Sequence, residues 1–212
     1  MNLLGFAAGP YQTNCYLLIN EGSAVVIDPG MHADEKISEL LAEQEATVEA
    51  IVLTHGHIDH TRDAGTLARR LGVPVYIHPD DAFMLVAGEG VSPQSQVLFD
   101  AASMTQVDDL RELADGQSLQ LAGVDTLIRH APGHSPGCVL IIAEEFAFTG
   151  DVLFQGSIGR TDLPHSDLAA MNASLRGPVW EMADTLQLLP GHGPVTSMRA
   201  ERNSNPFLRD LG

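Results

Sequence analysis

The sequence predicts an α/β protein. Short apolar runs of strand length alternate with amphipathic helical runs in the N-terminal part of the chain. Hydrophobic residues make up 44% of the 212 residues, which is enough for a substantial buried core. The sequence also holds one unusually polar stretch, in which three histidines and an aspartate directly follow an apolar run. We therefore expect the functional site to lie at that stretch.

The first part of the chain is predicted to form three strands, at residues 1–9, 13–20 and 23–29. Glu21-Gly22 separates the last two and is typical of a tight hairpin turn. Asp28 ends the third strand. Two interpretations of Asp28 stand equally: it accepts a hydrogen bond from a metal-binding imidazole, or it is an ordinary turn residue.

Two helices and a strand are predicted next. Residues 34–45 form an acidic amphipathic pattern, and residues 64–71 repeat apolar side chains at helical spacing before Gly72. Residues 74–78 are predicted to form a strand. Residues 88–96 are rich in Gly, Ser, Pro and Gln and are expected to be a loop, with the character of a lid over the site. Further strands are predicted at residues 118–122, 125–131, 137–143, 145–149 and 186–189.

Charge excludes one class of function. Twenty-eight acidic residues against 11 basic ones give a formal charge of −17. Binding to nucleic acid requires basic stripes that displace counterions, so no nucleic-acid partner is expected. No apolar run reaches membrane-spanning length, no secretory signal is recognisable, and the two cysteines form no C-x-x-C pair. The expected location is the cytoplasm, without a membrane partner.

The polar stretch runs from Thr54 to His60 and follows a predicted buried strand at residues 50–54. His55 and His57 are two residues apart, so they do not share a helix face as in the H-E-x-x-H motif of metalloproteases. They suit a non-helical turn that aims its side chains at adjacent metals. The alternative is a histidine-rich surface loop. Imidazole and carboxylate are ligands of zinc, iron and manganese, so the pattern favours a metal site.

Three further polar residues stand where predicted strands end. His134, Asp151 and His192 each follow an apolar run, and each is preceded by a glycine. Glycine permits a positive φ or a close approach of the backbone. Any one of the three is more often a turn residue than a ligand. Together with the first loop, however, they complete a set of seven candidate ligands.

The seven candidates divide between two metals. The first ligand group is His55, His57 and His134, and the second ligand group is Asp59, His60 and His192. Asp151 is expected to bridge, because a carboxylate has two oxygens. Two divalent ions about 3.5–4 Å apart can share a hydroxide and lower its pKa to near 7. Asp59 and Asp151 are the expected catalytic carboxylates, acting with that hydroxide as nucleophile.

The H-x-H-x-D-H pattern, followed by a lone His, an Asp and a final His, resembles the metallo-β-lactamase superfamily of hydrolases. The chain looks like its single-domain glyoxalase II-like, or hydroxyacylglutathione hydrolase-like, branch. Four segments carry that second resemblance, at residues 13–16, 27–30, 156–162 and 201–208. The resemblance implies a four-layer αβ/βα sandwich, formed as one domain over residues 1–212, with the metals at one edge between two sheets.

The resemblance also implies an activity, which is hydrolysis of a small acyl-thioester such as an S-lactoyl-thiol conjugate. The implied cofactors are two divalent metals, with zinc the first expectation and iron or manganese the alternatives. The implied partner is the small-molecule thioester, and the oligomeric state stays open. The chain ends 20 residues after His192, so the helical extension that binds glutathione in two-domain relatives is not expected. Asp151 stands where true β-lactamases often carry Cys, which argues against that activity.

Three other functions remain open. A persulfide dioxygenase of this fold would hold one iron at His55, His134 and Asp151, a two-histidine, one-carboxylate set. Hydrolysis of a lactone or another ester is the second alternative. A metal-binding module without catalysis is the third.

Several residues near the motifs have weaker assignments. Arg160 either orients an anionic substrate or pairs with Asp162, and the pair is favoured. His165 either faces the cleft or lies in an exposed loop, and the loop is favoured. Cys138 is expected to be a small buried packing residue.

Overall fold

Two six-stranded sheets form the centre of the described structure. The computed structural model describes residues 1–209, and residues 210–212 of the predicted domain lie outside that part. The first sheet has the order β1-β2-β3-β4-β5-β6. Its strands are β1 (Asn2–Ala8), β2 (Thr13–Asn20), β3 (Ser23–Ile27), β4 (Thr47–Val52), β5 (Val75–Ile77) and β6 (Leu110–Glu112). β1, β2 and β3 run antiparallel, whereas β3 to β6 are parallel.

The second sheet also contains both parallel and antiparallel strand pairs. Its strands are β7 (Ser118–Leu121), β8 (Val124–His130), β9 (Val139–Ile142), β10 (Phe146–Gly150), β13 (Gln187–Pro190) and β14 (Thr196–Ser197). They take the order β14-β13-β10-β9-β8-β7, with only β10 and β13 parallel. A separate hairpin consists of β11 (Leu153–Phe154) and β12 (Ser157–Ile158). This hairpin forms one wall of the cavity that opens onto the predicted site.

In the described part of the chain, seven α-helices accompany the sheets: α1 (Ala33–Glu43), α2 (Ile58–Thr61), α3 (Ala64–Leu71), α4 (Pro93–Leu98), α5 (Leu168–Ser174), α6 (Met198–Ser204) and α7 (Pro206–Arg209). Short 3₁₀ segments lie at Pro79–Leu85 and Ala101–Ser103, and a π-helical turn at Leu175–Val179 follows α5. Within residues 1–209, no helix has the length and apolar character needed to span a membrane.

Alternation along the strands explains the layering. On β2, Leu17 packs with Ile37 of α1 and with α3, whereas the next residue, Leu18, packs against the second sheet. The outer face of the second sheet packs against α5, α6 and α7, through residues such as Met171 and Leu208. Successive side chains of a strand point to opposite faces, so each sheet packs against the other sheet on one face and against helices on the other. The result is the helix–sheet–sheet–helix sandwich that the resemblance implied.

The hairpin between β2 and β3 has the predicted two-residue turn. Glu21 and Gly22 have φ values of 49° and 81°. Positive φ at both central residues gives a turn whose twist matches that of the flanking strands. The register then pairs Asn20 with Ser23.

The prediction of a loop over residues 88–96 is wrong in its second half, because Pro93–Leu98 is helical. Ser92 caps this helix, since its hydroxyl accepts a hydrogen bond from the backbone N–H of Ser95 at 3.1 Å. Pro93 at the first position is compatible with the helix, because that N–H has no intrahelical acceptor. No residue of α4 is buried, so the helix lacks the apolar periodicity that would have revealed it.

Candidate metal centre

The polar stretch begins where β4 ends, at the carboxyl edge of the parallel strands. His55 and His57 lie in non-helical backbone, as the spacing predicted. His57 has φ −62° and ψ 141° and directly precedes α2, which carries Asp59 and His60. The change from extended to helical backbone therefore turns the side chains of one short segment toward two different points.

The first ligand group is assembled in the structure. His55, His57 and His134 each present a ring nitrogen, and the three nitrogens lie within 4.8 Å of one another. All three side chains are buried. Nδ1 of His57 lies 2.9 Å from Nε2 of His134, although 77 positions separate the two residues. The loop after β8 therefore brings His134 directly to the first loop.

The second ligand group is assembled beside it. Asp59, His60 and His192 present ligand atoms within 4.8 Å of one another. Nε2 of His192 lies 3.2 Å from Oδ2 of Asp59. The side chain of His192 is 28% exposed, whereas His60 is fully buried. His192 therefore lies on the solvent side of this group.

Asp151 lies between the two groups. Its Oδ2 is 3.3 Å from Nε2 of His134, in the first group. Its Oδ1 is 3.3 Å from Nε2 of His60, in the second group. Oδ2 also lies 3.5 Å from Nε2 of His192, in the second group. The carboxylate therefore lies between the two groups and is close to ligands of both, as a bridging ligand requires.

The three glycines that precede these residues serve different needs. Gly133 and Gly150 have φ values of 145° and 46°, so both occupy backbone conformations that favour glycine. Gly191 does not have positive φ, but a Cβ there would lie 2.2 Å from Oδ1 of Asp151 and 2.5 Å from Cε1 of His60. Gly191 is therefore required for space rather than for conformation.

The cluster has the properties of a metal site. Nε2 of His55, His57 and His60, together with Oδ1 of Asp151, are buried and have no hydrogen-bond partner among the described residues. Burying polar atoms without partners is costly, and the residues that carry these four atoms all belong to the candidate ligand set, so they indicate a site for a cation. A mixed imidazole and carboxylate set fits zinc, iron or manganese.

The electrostatics agree with this. Burial lowers the pKa of His55, and burial together with nearby His134 lowers the pKa of His57 to about 3. Both rings are thus neutral at pH 7, with a lone pair available to a metal. Burial opposes ionisation of Asp151, yet the positive charge of His60 lowers its pKa to about 2. The site therefore combines neutral imidazoles with an ionised carboxylate.

His60 occupies a point where a positive charge is favoured. Burial alone would lower its pKa, but the carboxylates of Asp151, Asp59 and Asp28 raise it well above the usual value. A divalent cation would satisfy the same carboxylates. The second ligand group is therefore the more negative of the two.

Asp28 combines both of the interpretations given to it. It has φ 52° in the turn after β3, and its Oδ2 accepts a hydrogen bond from Nδ1 of His60 at 2.9 Å. Thr54 donates to the same carboxylate twice, from its backbone N–H at 2.8 Å and from its hydroxyl at 2.6 Å. Asp28 thereby fixes the orientation of the His60 ring and leaves Nε2 facing Asp151.

Two supporting contacts were not predicted from the sequence. The hydroxyl of Thr13 donates to Oδ2 of Asp59 at 2.9 Å, and Nδ1 of His134 lies 2.8 Å from the carbonyl oxygen of Arg160. Thr13 opens one of the four segments that carry the family resemblance, which was the available signal. The contact to Arg160 uses only its backbone, so its side chain gave no signal.

A cavity of about 600 Å³ opens onto the metal centre. Its wall includes His57, Asp59, His134, Asp151 and His192 from the centre, and Tyr11, Val91, Ser92, Ser95, Phe154, Ser157, Ile158, Arg160 and Leu163 around them. Tyr11 and Ser95 are joined by a hydrogen bond of 3.0 Å between their hydroxyls. The cavity is thus mostly apolar away from the predicted ligands, with hydroxyl groups and one guanidinium at its rim.

Arg160 and His165 were both placed near the cleft by sequence. Arg160 lines the cavity and also donates two hydrogen bonds to Asp162, at 2.9 and 3.0 Å, with both side chains exposed. The favoured pair with Asp162 is therefore formed, without removing Arg160 from the cavity wall. His165 is exposed, packs edge-on against Phe83 and does not line the cavity.

Comparison with known proteins agrees with this geometry. A family model described as the metallo-beta-lactamase superfamily matches residues 8–192. The chain belongs to that superfamily. The matched range contains all seven predicted ligands, from His55 to His192.

Relatives within the superfamily cover almost the whole chain. The hydroxyacylglutathione hydrolase GloC of Haemophilus influenzae is 35% identical, over 98% of this chain and 98% of its own length. The solved structure of TTHA1623 in a di-iron-bound form is 36% identical, with a TM-score of 0.84 over 97% of this chain and all of that one. The structure of the B3 metallo-beta-lactamase BLEG-1 is 34% identical, with a TM-score of 0.82 over 98% and 99% of the two chains.

Proposed function

We propose that this chain is a metal-dependent hydrolase that cleaves a small acyl-thioester, such as an S-lactoyl-thiol conjugate, with two divalent ions. The position of Asp151 carries the two-metal part of the proposal, because its carboxylate lies between the two ligand groups and is within 3.5 Å of ring nitrogens from both. The similarity to a hydroxyacylglutathione hydrolase supports the thioester part. Zinc, iron and manganese all suit the ligands.

The chemistry divides between the ions and the chain. When bound, two divalent ions supply an activated water near neutral pH and stabilise negative charge on the substrate carbonyl. Asp59 is held by Thr13 through Oδ2, which leaves its Oδ1 free to orient the attacking water. In the overall reaction, the acyl carbon gains an oxygen from water, the C–S bond breaks, and the sulfur leaves as a thiol.

Apolar side chains line part of the cavity beside the predicted ligands. Phe154, Ile158 and Leu163 give the cavity an apolar wall against which an acyl group can pack. Arg160 is the only Lys or Arg among the residues that line the cavity within the described part of the chain. Its guanidinium is suited to a carboxylate on the carrier thiol, at the rim rather than at the reaction centre.

Two other activities serve as outcomes of the test. TTHA1623 is a similar chain solved in a di-iron-bound form, which favours iron as one of the metals to test. His55, His134 and Asp151 lie close enough here to form the single-iron site of a persulfide dioxygenase. BLEG-1 is a B3 metallo-beta-lactamase, and Asp151 argues against that activity in this chain.

The experiment compares three substrates on one preparation. Metal-free protein is loaded with zinc, manganese or iron, and thiol release from S-lactoylglutathione, opening of a chromogenic cephalosporin, and oxygen uptake with glutathione persulfide are measured. The proposal predicts thiol release that depends on added metal and exceeds the other two rates. Oxygen uptake with iron, without thiol release under any metal, would replace hydrolysis with dioxygenation.

A further inference from the structure

We propose that Asp81 is a positioning residue that fastens together the two loops of the first ligand group. The inference rests on the metal centre of the proposed function, and it concerns a residue that lies outside both the cavity wall and the set of seven predicted ligands. Asp81 lies in the 3₁₀ segment Pro79–Leu85, and its side chain is fully buried.

The carboxylate of Asp81 accepts three hydrogen bonds from outside its own segment. The backbone N–H of Gly56 and the hydroxyl of Ser135 donate to Oδ2, at 2.8 and 2.5 Å. The backbone N–H of Gly137 donates to Oδ1 at 2.6 Å. Oδ2 therefore connects the loop of Gly56 with the loop of Ser135. Oδ1 holds the loop of Ser135 a second time, through Gly137.

The cost of this arrangement points to a specific role. A fully buried carboxylate is expensive to desolvate, and the three donors to Asp81 are two amides and a hydroxyl, all uncharged. An aliphatic side chain at this depth would add packing without that cost. What the carboxylate alone provides is simultaneous acceptance from two loops that are far apart in sequence.

A side chain larger than that of glycine would not fit at Gly56 or Gly137. A Cβ on Gly56 would lie 2.8 Å from the carbonyl oxygen of Asp81, and a Cβ on Gly137 would lie 2.7 Å from its Cγ. Neither glycine has positive φ, so backbone conformation does not require glycine at either position. The close approach of Asp81 explains Gly137, and Asp81 together with Met84, whose Cβ would also lie at 2.8 Å, explains Gly56.

The position of the donors connects Asp81 to the metal centre. Gly56 lies between His55 and His57, and Ser135 directly follows His134. Next to this contact, Nδ1 of His57 lies 2.9 Å from Nε2 of His134. Asp81 therefore holds the backbone on both sides of the ring nitrogens that would bind the first metal.

A matched pair of variants tests the inference. Asp81→Asn keeps the shape but turns one acceptor into an NH₂ group that faces a backbone N–H. Asp80→Asn makes the same change on the neighbouring residue, whose side chain is 57% exposed. Zn²⁺ affinity is measured by competition with a chromophoric chelator, Co²⁺ binding by its visible spectrum, and unfolding of the metal-free proteins by heat.

The expected result is a loss of Zn²⁺ affinity of about ten- to a hundredfold in Asp81→Asn, as for other residues that support metal ligands, with an altered Co²⁺ spectrum. Asp80→Asn is expected to match the wild type. Ser135→Ala removes one of the three donors and is expected to give a smaller loss of the same kind, which keeps the test open if Asp81→Asn does not fold.

A purely structural role makes a different prediction. Unchanged Zn²⁺ affinity and an unchanged Co²⁺ spectrum in Asp81→Asn or Ser135→Ala, with only a lower unfolding temperature of the metal-free protein, would overturn the inference. These readouts are independent of the substrate. Absence of thioester hydrolysis in the wild type would therefore remove the proposed function, whereas the affinity comparison would still decide the role of Asp81.

Discussion

Oδ2 of Asp28 accepts a hydrogen bond from Nδ1 of His60 at 2.9 Å, across 32 positions of sequence. Both side chains are buried, and Thr54 donates to the same carboxylate from its backbone and its hydroxyl. The contact fixes which nitrogen of His60 faces Asp151, so the second ligand group depends on a residue outside the set of predicted ligands.

Asp28→Asn is therefore expected to weaken the second ligand group selectively. In either orientation, the NH₂ group of the amide faces a donor: the backbone N–H of Thr54 at the Oδ1 position, or the Thr54 hydroxyl and Nδ1 of His60 at the Oδ2 position. We expect about a ten- to hundredfold loss of affinity for one of the two metals, with the other retained. Stepwise Zn²⁺ titration by calorimetry separates the two events. Two unchanged binding steps would show that Asp28 is only a turn residue.

Asp151→Ala is expected to affect both metals and to abolish hydrolysis. Removing the carboxylate takes away the side chain whose two oxygens each lie 3.3 Å from a predicted ligand, one in each group. Metal content per chain and thiol release from S-lactoylglutathione are measured on the same preparation. Asp125→Ala, at an exposed residue of β8, is the control for effects of substitution and purification. Unchanged turnover in Asp151→Ala would exclude Asp151 from the mechanism.

The tail segment that resembles the glyoxalase II-like branch supports the cavity wall. Glu201 is buried, and its carboxylate accepts hydrogen bonds from the N–H of Gly156 at 2.7 Å and the hydroxyl of Thr196 at 2.6 Å. Asn205 donates to the carbonyl oxygens of Phe154 and Ser157. Together these residues hold the β11–β12 hairpin, from which Phe154 and Ser157 line the cavity.

Glu201→Ala is therefore expected to raise the KM for thioester and to leave the metal content unchanged. Loss of the carboxylate leaves donors such as the N–H of Gly156 unpaired, and a buried donor without a partner costs about 1–3 kcal/mol of stability. If about 1.4 kcal/mol of that cost falls on substrate binding, the affinity for thioester falls about tenfold. Steady-state kinetics measure the effect, with the exposed Glu144→Ala as control. A lower metal content with an unchanged KM would assign Glu201 to the metal centre instead.

The two cysteines are expected to be unreactive while the protein is folded. Burial raises the pKa of both Cys15 and Cys138 well above the usual value, so the thiolate needed for alkylation is scarce. Iodoacetamide labelling at pH 8 is expected to require unfolding. Rapid labelling of the native protein would contradict this.

The raised pKa values of the two thiols also make the stability of the protein depend on pH. A thiol with a raised folded pKa contributes fully below the unfolded pKa of about 8.5, and the contribution is lost as pH rises above that value. Denaturant unfolding between about pH 8 and 10 is expected to show falling stability, and the slope is expected to decrease in Cys15→Ala and Cys138→Ala variants. Equal slopes in these variants and the wild type would assign the effect to other groups.

The seven candidate ligands could be found from sequence because each directly follows, or lies one short turn beyond, an apolar strand. His55 and Asp151 follow strands of different sheets, and it was the family resemblance that implied metals at one edge between two sheets. Unlike Asp28, two other supporting residues could not be found in this way. Thr13 and Asp81 act through hydrogen bonds to distant loops, and a single polar residue in a strand or turn carries no sign of such a partner.

Two exposed elements were missed because packing gave no signal there. Strand β6 pairs with β5, but its three residues are all exposed, so alternation was absent. Helix α4 is likewise without buried residues and depends on the capping of Ser92. Buried segments such as β2 and β10 were predicted to within one residue at each end, because burial imposes an apolar pattern that exposed pairing does not.

We propose that two metals bind at one centre and that Asp151 bridges them. The number of metal ions bound per chain tests this most directly. Metal-free protein is titrated with Zn²⁺ while bound metal and thiol release from S-lactoylglutathione are followed together. We predict that binding saturates at about two ions per chain and that hydrolysis reaches its maximum only as the second ion binds. Saturation at one ion per chain, with full hydrolysis at that point, would contradict the two-metal centre.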